Sequence, residues 1–171
     1  MTLTQYALNL GLLALILGTN LGTRQVTLAR LVGPLALVAA VAWFYLGSVP
    51  TSGNDTVLEG VGVAAGLVLG VVAGLLVRVR EHDDGVWTRA GWPYASLWVG
   101  VIGGRMLFAY GADHWFTAAI GRFSYQHAIS GADAWTAAFV LMAVSMVVSR
   151  VLVTGGACLV VRRGSSRAVP A

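Results

Sequence analysis

Lysine is absent from the 171 residues, cysteine occurs once, and charged side chains amount to only 11%. A soluble domain carries about 25% charged residues, so water is excluded as the main solvent of this chain's surface. The single cysteine, Cys158, can close no disulfide within the chain, which excludes dithiol redox chemistry carried by this chain alone. Its expected role is that of a small buried packing residue. The basic side chains are all arginine, and the formal net charge is +4. They flank apolar runs instead of forming one basic face, so nucleic acid is excluded as a partner. Zinc-protease, phosphate-loop, dinucleotide and serine-nucleophile signatures are missing, and no cofactor is expected. No positive side chain lies within Met1 to Gln5 and no cleavage site follows the first apolar run, so that run is expected to stay in the mature protein.

What is present is apolar. Hydrophobic residues make up 57% of the chain, and the mean hydropathy is +0.78. A helix needs roughly 20 apolar residues to cross a bilayer. Five runs approach that length: Tyr6 to Leu21, Leu31 to Val49, Val57 to Val77, Trp92 to Tyr110, and Trp135 to Val161. The expected fold is an all-α polytopic membrane bundle of five transmembrane helices over residues 1–161, followed by a short basic tail, 162–171. Pro34 falls in the first turn of its run, where a missing N–H is tolerated. Arg150 interrupts the last run; the helix is expected to leave the bilayer a turn or two beyond it.

Arginine distribution sets the orientation. The first and third connections and the tail hold eight arginines, among them Arg24, Arg30, Arg78, Arg80 and Arg89; the second and fourth connections hold only Arg122. Positive charge stays in the cytoplasm. The N-terminus is therefore expected outside, the C-terminus in the cytoplasm, and the chain in the cell membrane as a multi-pass protein. Trp43, Tyr45, Trp87, Trp92, Tyr94, Trp115 and Trp135 sit near span ends, as an aromatic belt does.

The third span carries Gly62, Gly66, Gly70 and Gly74 on one helix face. Without side chains there, another helix can approach closely. Two readings are open: packing inside the bundle, or contact with a second copy or a membrane partner protein.

Arg105 lies inside the fourth span, where an arginine costs about 2.5–3.5 kcal/mol on insertion scales. It needs a carboxylate, water or the headgroups. Asp55, Glu59, Asp113 and Asp133 all fall on the predicted outer side; Asp55, Glu59 and Asp133 join Arg105 as candidates for an ion pair or a ligand site. Thr56-Val-Leu-Glu59 also has capping-box spacing. Gly111-Ala-Asp-His-Trp115 recurs as Gly131-Ala-Asp-Ala-Trp135, which reads as two helix starts capped by Asp113 and Asp133. The first would open a short external helix carrying Trp115, Phe116, Ile120 and Phe123. His114, His127 and Asp113 are the candidate metal ligands, although their spacing matches no established ligand pattern. His82, beside Glu81, Asp83 and Asp84, reads as a solvated loop residue.

Gly66-Leu-Val-Leu-Gly70, Val77-Arg-Val-Arg80, the acidic Glu81 to Asp84, Gly85-Val-Trp87, Arg89 to Trp92 and Arg105 together resemble the CcdC-like family of small bacterial membrane proteins, common in actinobacteria. The resemblance covers roughly Gly62 to Arg105. It implies four to five spans and supplies no established catalytic residues. The family is associated with cytochrome c maturation; with one cysteine, any such role here would be indirect.

The expected function is that of an integral membrane accessory or scaffold protein. The alternatives are a small transporter or channel-like oligomer built around Arg105, and a membrane metal or redox protein built around His114 and His127.

Overall fold

The computed structural model describes residues 53–82 and 85–165 and, before them, 10–11, 13–14, 16–18, 21–25, 27, 32–36, 38–40 and 43. The elements defined there are β1 (Gly22–Gln25), α1 (Asp55–Leu75), β2 (Val77–His82), β3 (Gly85–Ala90), α2 (Trp92–His114), α3 (Thr117–Gln126) and α4 (Ala132–Ser165). About half of the residues in the predicted first and second spans lie outside the described residues. Residues 10–11, 13–14, 16–18, 32–36, 38–40 and 43, which fall inside those two spans, are helical.

Among the described residues, two helices are long and apolar enough to cross a membrane, Asp55–Leu75 and Ala132–Val161. At 1.5 Å per residue, α1 is about 30 Å long, the thickness of a hydrocarbon core. The predicted fourth span is also a helix, α2. Arg105, its glycines and its Trp and Tyr side chains dilute its apolar character, so it does not join the other two. α4 runs unbroken past Arg150 and past the expected bundle boundary at 161, as far as Ser165.

α1 and α4 are parallel and in close contact. Gly62 faces Ala138, Gly66 faces Met142 and Ser145, Gly70 faces Met146 and Ser149, and Gly74 faces Arg150 and Val153. A Cβ at Gly66 would overlap the Met142 carbonyl oxygen and the Ser145 hydroxyl; one at Gly70 would overlap the equivalent pair one turn on. Small residues at both surfaces are what let two backbones meet. Ser145 and Ser149 fit in this seam because each hydroxyl donates back to its own helix, to Leu141 O and Ser145 O at 2.8 Å. The opposite side of α1 is apolar and open: Val57, Val61, Val68 and Leu75 are each more than 60% exposed. A contiguous apolar stripe of that kind is foreign to a water-facing helix.

α2 packs against α4 through rings, not glycines. Phe108 contacts Trp135 and Phe139 at ring-centroid distances of 5.2 and 5.3 Å. Further along, the Arg150 guanidinium lies 5.1 Å from the Tyr94 ring. Numbers rise on one helix as they fall on the other, so α2 is antiparallel to α4. Tyr94 is fully buried, not part of an interfacial belt, whereas Trp92 and Trp115 are exposed.

The all-α expectation requires correction. β1, β2 and β3 form an antiparallel sheet in the order β1-β3-β2. Val77-Arg-Val-Arg-Glu-His alternates in the strand period of two, and the apolar positions turn inward. Val77, Val86 and Ala90 are buried on the face toward the bundle. There Val77 and Ala90 join Ala73, Tyr94, Trp98, Ile102 and Met146 in the main core, with Leu13, Ile16 and Leu17 packed against it. β1 comes from the predicted first connection and β3 from the third, so residues 22–25 and 85–90 lie at one end of the bundle. His82 is a strand residue opposite Gly85, not a loop residue.

Candidate functional site

At the opposite end of α1, its first two turns place two carboxylates four residues apart on one face. Asp55 is fully buried and Glu59 nearly so. Asp55 Oδ1 accepts the Ser130 backbone N–H at 2.8 Å, and Oδ2 accepts the Ser130 hydroxyl. The Asn54 N–H donates to Ala128 O at 3.1 Å. These bonds fasten the start of α1 to the loop that leads into α4. Asn54 is the N-cap residue and makes no side-chain capping bond. The capping-box reading of Thr56 and Glu59 is thus replaced by a tertiary role for Asp55: its carboxylate is drawn to a donor from a distant loop instead of its own helix. One Glu59 oxygen, Oε1, is buried with no hydrogen-bond partner among the described residues.

Arg105 is half-buried, and its guanidinium lies 5.9 Å from the centroid of Phe139. A cation over a ring face is attracted by the ring quadrupole. Phe139 is two turns into α4, level with Gly62 on α1. Arg105, Glu59, Asp55 and the exposed Asp133 therefore all belong to the same end of the bundle. Asp133 lies in the first turn of α4.

Asp113 does not open a helix. α2 continues through it to His114, and the short helix α3 begins at Thr117 with no side-chain cap. The Gly-Ala-Asp echo misleads because the first copy ends a helix while the second starts one. α3 is held to α4 by the Trp135 indole N–H, which donates to Ser124 Oγ at 3.3 Å.

The histidines are engaged locally. His114 stacks on Tyr110, and its Nδ1 is 3.0 Å from Tyr110 O; His127 stacks on Phe123, and its Nδ1 is 2.9 Å from Phe123 O. No group of three His, Cys, Asp or Glu side chains that could hold a metal forms among the described residues. His114, His127 and Asp113 are not assembled into a site.

A second feature had no counterpart in the sequence reading. The outward face of the sheet forms a groove of about 300 Å³ lined by Thr23, Arg78, Arg80, His82, Trp87 and Arg89, together with Thr88. The strand register places Arg78 directly opposite Arg89, which also faces Thr23, and Arg80 opposite Trp87. Arg78, Arg80 and Arg89 are exposed, and Trp87 is half-buried beneath them. The signal was the Val-Arg-Val-Arg alternation itself, which gathers on one face the charges that look scattered along a loop.

Comparison of the chain with protein-family models, curated proteins and solved structures finds no match.

Proposed function

We propose that this chain is a multi-pass protein of the cell membrane, with five spans, an external N-terminus and a cytoplasmic C-terminus, that serves as an accessory or scaffold protein. The observation that carries the reading is the parallel α1–α4 pair. It is close-packed along its glycine seam, the α4 serines in that seam bond to their own helix, and the pair turns an open apolar stripe of α1 outward. Polar groups consumed by internal contacts act as architecture, and an exposed apolar stripe suits lipid or a partner helix.

The alternation of connections supports the five-span count. Strand pairing joins the first and third connections, and the Asp55–Ser130 bonds join the second and fourth. Two ends, each holding alternate connections, are what successive crossings require.

Impermeant thiol labelling in intact cells tests the topology, using single-cysteine variants in a Cys158→Ala background. Asn54→Cys and Gln126→Cys are expected to label from outside, and Glu81→Cys only after permeabilisation. Labelling of Glu81→Cys in intact cells would reverse the orientation.

Function separates from transport in reconstituted liposomes. The wild-type chain is expected to leave chloride and phosphate flux at the background of empty vesicles. Flux well above that background, lost in Arg105→Gln, would replace the accessory reading by a transporter.

A further inference from the structure

We infer that the outward face of the β1-β3-β2 sheet is a binding site for a phosphate group. The register sets two arginines, Arg78 and Arg89, directly across from each other on neighbouring strands. Like charges in that position destabilise a sheet, and a bound anion removes the repulsion. Arg80 and His82 continue along the same face of β2, since side chains two apart share a face. Thr23 of β1 supplies a hydroxyl opposite Arg89. Glu81, the acidic residue of that strand, falls on the other face of the sheet. One side of the sheet thus carries guanidinium and hydroxyl donors around a concave space, with the Trp87 ring in its wall.

The chemistry selects phosphate over a simple halide. A guanidinium presents a planar fork of N–H donors that matches two oxygens of one anion. Two such forks facing each other can hold one phosphate from both sides. The groove volume of about 300 Å³ lies at the small end of ligand pockets, enough for the phosphate and a small alcohol attached to it. Two sources carry this chemistry: a phospholipid headgroup, or a soluble phosphate or phosphoester.

The full chain, purified in neutral detergent, separates them. In the first arm, inorganic pyrophosphate is titrated calorimetrically against a chloride background. In the second, the chain is placed in nanodiscs of phosphatidylcholine with or without phosphatidylglycerol, and lipid retained on release is identified by native mass spectrometry. Arg89→Gln and Arg80→Gln are measured singly in both arms, with Arg122→Gln on α3 as the control. Each loss is expected to weaken binding about tenfold or more, the equivalent of one charged hydrogen bond, and the control is expected to match wild type.

Both substitutions lie on an exposed face, and without ligand Arg89→Gln is expected to melt no lower than wild type, because it removes the repulsion with Arg78. Pyrophosphate binding that depends on the two arginines assigns a soluble ligand. Selective retention of phosphatidylglycerol with the same dependence assigns a headgroup. Absence of binding in both arms, or binding equal in wild type and both variants, overturns the site.

Discussion

Gly66→Ala is expected to destabilise the protein by about 1–3 kcal/mol, the range for forcing an extra methyl group into a packed seam. The added Cβ meets the Met142 carbonyl and the Ser145 hydroxyl. The carbonyl belongs to helical backbone and cannot turn aside, so α1 and α4 must separate. Gly60→Ala is the internal contrast. Gly60 lies on the same helix, is exposed, and has open space where a Cβ would go. Alanine there should gain up to about 1 kcal/mol of helix propensity. Two identical substitutions less than two turns apart should thus change stability in opposite directions. Unfolding of the purified chain in mixed micelles, followed by circular dichroism, reads both. Equal effects at the two positions would show that the seam between α1 and α4 is not close-packed.

The second large effect is expected at Asp55. Asp55→Ala removes a fully buried carboxylate and with it the acceptor of the part-buried Ser130 N–H bond. Loss of a charged partner there costs about 1.5–3 kcal/mol. Asp55→Asn keeps one acceptor oxygen and should lose less. Ser130→Ala is expected to cost little in the Asp55→Ala background, because the bond of its hydroxyl to Oδ2 is already gone there and coupled pairs are non-additive. A double-mutant cycle on the unfolding free energies checks this. Full additivity would mean that the Ser130 hydroxyl does not interact with Asp55.

Hydropathy alone made the third and fifth apolar runs legible, since α1 and α4 follow them closely. The glycine face of α1 was legible as a packing surface, and the structure sets it against α4 of the same chain. The identity of its neighbour was not legible, because spacing on one helix carries no information about the other. The sheet was missed for a different reason. Charge between apolar runs reads as a connecting loop, and Arg78, Arg80 and Arg89 were counted only for their sign. Their alternation with Val77, Val79 and Val86 held the strand period throughout. β1 could not have been found the same way: Gly-Thr-Arg-Gln has no apolar alternation and forms a strand because β3 offers it an edge. Asp55 was found as a helix start, but its bond to Ser130, 75 residues away, is a product of the fold. Arg105 stands on α2, the helix formed by the fourth apolar run, and the ring of Phe139 beside it was not foreseeable from sequence.

The pairing of β1 with β3 tests the account most directly, because it brings residues 22–25 and 87–90 together at one end of the bundle, as the proposed alternation of connections requires. Arg24 and Thr88 are cross-strand partners in that register. A cysteine pair at directly opposed strand positions lies within disulfide reach. Arg24→Cys with Thr88→Cys, in a Cys158→Ala background, is expected to form an intramolecular disulfide in membranes under mild oxidation, seen as a faster-migrating monomer that reverts on reduction. Arg24→Cys with Gln126→Cys, at opposite ends of the bundle, should remain unlinked. A link in the second pair and none in the first would contradict the architecture.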